Sequence, residues 1–231
     1  MLRAVIFDFN GILVDDEPIH WELFRKVLQE EGISLSDREY YERYLGMDDR
    51  GCFRAVFQDR GRSLDAAALA GLIERKAAYY RASIADRMVV FPGVKELVPQ
   101  LSARFPLAVA SGALRDEIEL VLQSIGLRNF FRAIASAEDV AAGKPDPGIF
   151  LKALQGLNDG AVEPGRSAGL IRPSECLVIE DSKEGILAAR RAGMRCLAVA
   201  NSYPADELKS APAVVESLEE VTIPLLESLF K

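Results

Sequence analysis

A basic excess, paired cysteines and long apolar runs are all missing from this chain. Histidine occurs once, at His20, and cysteine three times, at Cys52, Cys176 and Cys196. Without a His/Cys cluster a zinc site is not expected. Three widely spaced cysteines make no disulfide framework and fit reduced, buried thiols in a cytoplasmic protein. Lys and Arg together number 28 against 35 Asp and Glu, a net charge of −7 with no basic run, so a nucleic-acid partner is not expected. No stretch reaches the roughly 18 apolar residues of a membrane span. The N-terminus runs straight into a strand pattern, without a charged-then-apolar leader, so no secretory signal is expected either. What is present is 231 residues, 49% of them hydrophobic. That suffices for one large domain, or for a core with a smaller partner unit.

The opening stretch organises the rest. Ala4–Phe7 is a short apolar, β-branched run that ends abruptly in Asp8. It reads as a buried strand delivering a carboxylate to the C-terminal edge of a sheet, where open α/β sheets gather their ligand sites. Gly11 lets the chain turn sharply after Asn10. Taken alone, the stretch also fits a strand and polar turn in which Asp8 merely caps something. From residue 19 to 85 nothing reads as a strand: helical spacing runs over 19–31, 37–60 and 64–85. Beyond it, strands at Leu107–Ala110, Ala133–Ser136, Cys176–Ile179 and Arg195–Val199 alternate with helices starting near Val94, Asp116, Pro147 and Gly185. A last helical segment lies within Glu216–Leu229. This alternation predicts a parallel sheet with helices on both faces. Asn158–Ile171, rich in Gly, Ala and Ser and without an apolar period, reads as a solvated insertion or as a loop facing a partner or substrate.

Three later stretches echo the first in chemistry: Val109-Ala-Ser-Gly112, Gly143-Lys-Pro-Asp-Pro147 and Leu177-Val-Ile-Glu-Asp-Ser182. Glu180-Asp181 ends another strand, and with Asp8 it makes an oxygen-rich, negative pocket that a hard cation would stabilise. Mg²⁺ suits such a site, taking one or two carboxylates, waters and phosphate oxygens. The plainer alternative is an N-cap with a first-turn acid pair. Lys144, in a loop stiffened by Pro145 and Pro147, offers an ammonium that can neutralise Asp8 and a transferring phosphoryl group. Asp8 is the candidate nucleophile, because a carboxylate can attack phosphorus and split one displacement into two easier ones.

In order, spacing and context these stretches resemble the haloacid dehalogenase superfamily, nearest its phosphatase and β-phosphoglucomutase-like branch, across essentially the whole chain. The resemblance implies a Rossmann-like, doubly wound parallel core (residues 1–16 and 86–231) carrying an inserted all-helical cap (17–85), with hinges near Val14–Pro18 and Ala85–Val90. It implies phosphate binding by Ser111 and Gly112, metal ligation by Asp8, the Asn10 main-chain carbonyl, Glu180 and Asp181, and an anion grip from Arg50 on the cap. His20 matches a histidine found in several relatives, though a lone histidine early in a helix more often packs or caps at a hinge. The expected activity is Mg²⁺-dependent hydrolysis of a small phosphorylated metabolite through an aspartyl-phosphate. The alternatives are a β-phosphoglucomutase-like mutase and a phosphometabolite-binding protein of weak activity. Dehalogenation is disfavoured, since it has no use for the metal site. One position departs from the pattern. Phosphatases of this kind carry an acid/base Asp where this chain has Asn10, and an amide can neither give nor take the proton. With Asn10 the chain therefore reads as a variant or attenuated phosphatase, as an enzyme for substrates whose leaving groups need no proton, such as acyl phosphates or phosphoanhydrides, or as a binding protein. Asp16, where relatives carry Ser or Thr, and His20 are the candidates to stand in for the missing acid.

Overall fold

The computed structural model describes residues 1–84, 87–159 and 169–231. Its strands are β1 (Ala4–Phe7), β2 (Val14–Asp15), β3 (Val89–Val90), β4 (Leu107–Ala110), β5 (Phe131–Ala135), β6 (Cys176–Glu180), β7 (Arg195–Val199) and β8 (Ala213–Val215). Six of them form one sheet in the order β5-β4-β1-β6-β7-β8, every pairing parallel. The period-2 alternation of a strand explains how the sheet is covered. Val5 and Phe7 of β1 face one hydrophobic layer with Val109, Ile179 and Leu197. There α5 (Val94–Ser102) and α6 (Arg115–Ser124) supply Leu97, Leu101, Val121 and Leu122. Ala4 and Ile6 face the other layer, where α7 (Gly148–Asp159) and α8 (Lys183–Arg191) supply Phe150, Leu154, Ile186 and Ala189. Each large apolar side chain buried this way contributes roughly 1.5–3 kcal/mol.

Between β2 and β3 the elements are helical: α1 (Glu17–Glu30), α2 (Asp37–Arg43), α3 (Asp49–Asp59) and α4 (Ala66–Ser83). They enclose a hydrophobic cluster of their own around Trp21, Phe24, Leu28, Phe53, Phe57 and Leu72. This is the inserted helical cap on a Rossmann-like core. The expected helix over 37–60 is in fact two, because Gly46 adopts φ 80° and Asp48 starts a new helix by accepting from Gly51 N–H at 2.6 Å. The third strand of the sequence pattern starts at Phe131 rather than Ala133. The last helix is short, α9 (Ile223–Ser228), with Pro224 in its first turn where the missing N–H costs nothing.

Three strands escaped the sequence reading. The edge strand β8 is three residues long, and β2 and β3 are two each. β2 and β3 pair antiparallel, Val14 with Val90 and Asp15 with Val89, so the chain entering the cap is bonded to the chain leaving it. Residues 85–86, within the expected second hinge, and 160–168, within the expected insertion, lie outside the described residues. The ends of that insertion are described and are tied together: Asn158 donates to the Ile171 carbonyl at 3.0 Å and accepts from Ile171 N–H at 2.8 Å. Arg3 donates to the carbonyls of Gly169 and Leu170 beside them.

Candidate active site

The parallel strands bring their C-terminal ends to one edge, and the stretches around Asp8, Ser111, Lys144 and Glu180-Asp181 converge there. Asp8 follows β1, Ser111 follows β4, and Glu180-Asp181 closes β6. One oxygen each of Asp8, Glu180 and Asp181 lie within 4.8 Å of one another, and all three residues are buried. Lys144 Nζ stands 2.7 Å from Asp8 Oδ1 and 2.5 Å from Glu180 Oε1. Glu180 is tied further to the chain, its Oε2 accepting from the backbone N–H groups of Asp181 and Ser182 at 2.8 and 2.6 Å.

One ammonium does not balance three buried carboxylates. Burial, reinforced by Glu180 and opposed by Lys144, pushes Asp8 up to about 7. Asp181 is raised well above the ordinary carboxylate value by burial and by its acidic neighbours. Burial works against the Lys144 ammonium, but Asp8 and Glu180 more than offset it and hold it firmly charged. An under-compensated set of hard oxygen donors is what a divalent cation relieves, so these residues fit Mg²⁺. The backbone is shaped around them. Gly11 has φ 78°, and a Cβ there would lie 2.0 Å from Asp181 Oδ2. Asn201 donates to the Gly11 carbonyl at 2.7 Å, and Ser202 hydrogen-bonds Asp181.

A cavity of about 350 Å³ opens over this edge, lined by Asp8, Asn10, Ser111, Gly112, Lys144 and Asp181 on the core side. Its cap side carries His20, Phe24, Tyr40, Tyr41, Met47 and the acids Glu17, Asp48 and Asp49, with Asp15 of β2 beside them. Asp48 of the cap lies close against the core loops at Gly112 and Gly143. A Cβ on Gly112 would lie 3.1 Å from its Cβ, and one on Gly143 would lie 2.7 Å from its Oδ2. Burial raises Glu17 and Asp48 above their ordinary values. Among the described lining residues Lys144 is the one lysine or arginine. Arg50 is not brought to the cavity; its guanidinium reaches the Ala141 carbonyl at 3.4 Å.

Asn10 is held from both sides. Its Nδ2 donates to Asp16 Oδ1 and Oδ2 at 2.8 and 2.9 Å, and its Oδ1 accepts from Ser111 Oγ at 3.1 Å. Asp16 is fully buried and also accepts from Tyr80 OH at 2.6 Å. Burial works against its charge, but His20, Tyr80 and Asn10 outweigh it and keep its pKa below the usual value. His20 Nδ1 lies 2.7 Å from Lys76 Nζ, and its Nε2 lies 3.2 Å from Asp16 Oδ2. An ammonium only donates and a carboxylate only accepts, so both ring nitrogens are engaged, Nδ1 as acceptor and Nε2–H as donor. Lys76 is itself fully buried on Asp49, 2.6 Å away. Neither Asp16, hidden behind Asn10, nor His20 presents a free proton to the cavity.

Several of these groups do not stand out in the sequence reading. Asn201-Ser202 had a usable signal, polar residues closing the apolar run of β7 as Asp8 closes β1. Lys76, Tyr80 and Asp48 had none, because their roles depend on how the cap packs.

The sequence profile of the haloacid dehalogenase-like hydrolase family matches residues 5–199. A chloroplastic 5-amino-6-(5-phospho-D-ribitylamino)uracil phosphatase from Arabidopsis thaliana is 31% identical over 98% of the chain, which spans 57% of that relative's length. A validoxylamine A 7'-phosphate phosphatase from Streptomyces hygroscopicus subsp. limoneus is 29% identical over 97% of the chain and 98% of its own length. Among solved structures, a β-phosphoglucomutase from Clostridium difficile superposes with a TM-score of 0.83 at 23% identity, covering 100% of this chain and 97% of that one.

Proposed function

The chain belongs to the haloacid dehalogenase-like hydrolase family, and from that premise we propose that it is a Mg²⁺-dependent phosphatase acting on a small phosphorylated metabolite in the cytoplasm. The observation that carries the reading is Asp8, a buried carboxylate at a sheet edge with Lys144 at 2.7 Å and two further carboxylates within 4.8 Å. Asp8 attacks phosphorus and becomes an aspartyl-phosphate, which water then hydrolyses. Lys144 neutralises nucleophile and phosphoryl group together, and the backbone N–H groups around Gly112 hold phosphoryl oxygens, with Ser111 Oγ joining them once its hydrogen turns from Asn10 to the bound phosphoryl group. Asp8, Asp181 and the Asn10 main-chain carbonyl would hold Mg²⁺, with Glu180 orienting Lys144 or joining through water. The ion supplies charge neutralisation at the phosphoryl oxygens.

The cap side of the cavity supports the substrate class. Glu17, Asp48 and Asp49 face a space with no lysine or arginine beyond Lys144 among the described lining residues. With Asp49 paired to Lys76, the described wall residues offer acceptors but no free cation to grip a second phosphate, which favours a monophosphate bearing hydroxyls or an amine. Two relatives are named for phosphatase activity on monophosphorylated, nitrogen-bearing compounds, which supports the same class.

Phosphate release with Mg²⁺ and with chelator, by the native chain and by Asp8→Asn, tests the reading. Release that needs both Mg²⁺ and Asp8 is expected. Interconversion of sugar-phosphate isomers without release would make the protein a mutase. Binding of phosphorylated ligands without any turnover would make it a binding protein.

A further inference from the structure

Position 10 faces the cavity with the wrong end of an amide for acid catalysis, and Asp16 is the reason. A carboxylate has no donors, so the only group Asn10 can turn toward both Asp16 oxygens is its NH₂. The carbonyl oxygen is thereby fixed on the opposite side, where it accepts from Ser111 Oγ beside the phosphate loop. The pair is buttressed. Asp16 is fully buried, with Tyr80 OH and His20 Nε2 on its remaining lone pairs. Turning the amide over would set its carbonyl against Asp16 and leave buried groups unpaired, which such a network strongly disfavours. The cavity therefore meets an acceptor at position 10 and no donor. His20 does not replace it, since Lys76 and Asp16 occupy its two nitrogens.

We propose that Asp16 is a positioning residue that locks Asn10 with its carbonyl toward the site, and that this pair makes the protein selective for acyl phosphates. The assignment rests on the phosphatase reading above and names the leaving group that reading left open. In the first step an Asp8 oxygen bonds to phosphorus and the bond from phosphorus to the acyl oxygen breaks. The acyl group departs as a carboxylate with the bonding pair, and no proton is required. An alkoxide from an ordinary sugar ester is too basic to leave that way, so the same step stalls without an acid. In the second step water adds to phosphorus and the bond to Asp8 breaks. Inorganic phosphate leaves with one of the water protons, and the other goes to solvent. The aspartyl-phosphate is itself an acyl phosphate, so its hydrolysis also expels a carboxylate and proceeds without a general acid. Asn10 and Asp16 are thus one coupled exchange: the acid stands at the buried position and the neutral group at the catalytic one.

Five forms decide the matter: native, Asn10→Asp, Asp16→Ser, Asp16→Asn and the double variant Asn10→Asp/Asp16→Ser. Each is assayed with Mg²⁺ on acetyl phosphate and on glycerol phosphate. The native chain is expected to prefer acetyl phosphate by roughly 10²–10⁴-fold in kcat/KM, the span of general acid–base help. Asn10→Asp alone should recover little on glycerol phosphate, because its carboxylate would face Asp16 across hydrogen-bond distance. The double variant should gain about 10²-fold or more on glycerol phosphate, so that the native preference for the acyl substrate shrinks by a comparable factor. Asp16→Ser and the isosteric Asp16→Asn free the amide to turn and lower the acyl-to-alkyl ratio by about 10-fold. The ratio does not move for a merely destabilised protein, and Asp16→Asn guards against a misfolded Asp16→Ser. Equal native rates on both substrates would overturn the acyl-phosphate assignment, and an Asn10→Asp gain as large as that of the double variant would overturn the role of Asp16. Failure of every form on both substrates would instead strike the phosphatase reading, and the proposal with it.

Discussion

Replacing Asp8 by asparagine is expected to stabilise the metal-free protein while abolishing turnover. Asp8 is 7% exposed, and burial raises its pKa from 3.8 to about 7. Between those two values the folded chain still holds the Asp8 proton that the unfolded chain has released. The native state then binds more protons, so stability falls as pH rises through the interval and levels off above about 7. A tenfold change in proton affinity is worth about 1.4 kcal/mol, so the full cost approaches about 4 kcal/mol, of which roughly 2 kcal/mol accrues between about pH 5.5 and about pH 8. Asp8→Asn removes that cost and leaves the Lys144–Glu180 pair in place. Thermal unfolding in chelator measures it. The gap in midpoint between Asp8→Asn and the native chain should widen by ~4–8 °C from the lower to the higher pH, using the slope for a chain of this size. Saturating Mg²⁺ should then close the gap, since an ion at 100 times its Kd adds about 2.7 kcal/mol to the native chain and less to the variant. A gap that fails to widen with pH, or Mg²⁺ stabilising both forms equally, would refute the account of the carboxylate cluster.

Lys144→Met should lower kcat/KM by roughly 10²–10³-fold with little change in secondary structure, measured by phosphate release, because it removes the one ammonium on Asp8 and Glu180. Gly11→Ala pairs a strained φ of 78° with a collision on Asp181, so half-saturation by Mg²⁺ should rise by about 10-fold or more in a metal titration. Gly185→Ala presses on Glu180, whose Oε1 would lie 1.8 Å from the added carbon, and should destabilise the protein by about 1–3 kcal/mol in urea unfolding. Cys52, Cys176 and Cys196 are buried, and burial raises each thiol's pKa. They should resist a thiol reagent at neutral pH and react together when the chain unfolds.

The sheet and the carboxylate cluster were legible because an apolar strand that stops at a carboxylate is a local pattern. Ala4–Phe7 with Asp8 and Cys176–Ile179 with Glu180-Asp181 carry it in adjacent residues. That Asn10 stands where the resemblance expects an Asp was legible too, but the orientation of its side chain was not. That depends on the turn at Gly11 bringing position 16 back against position 10, a contact with no periodic signature. Lys76 sits in an Ala-rich helix with no local signal, although the cap buries it completely between His20 and Asp49. Arg50 looked equally available and is turned to Ala141 instead. The β2–β3 ribbon is too short for any alternation to register; only pairing across the whole cap creates it.

The clamp between Asn158 and Ile171 has a practical consequence. Two hydrogen bonds close the base of the insertion, and Arg3 braces its returning end. Both ends sit at the N-terminal side of β6, at the opposite edge of the sheet from Asp181. A foreign peptide, a fluorophore or an immobilisation tag grafted between residues 160 and 168 would hang from a neck that is already closed. Its two points of attachment, Asn158 and Ile171, would stay fastened to each other.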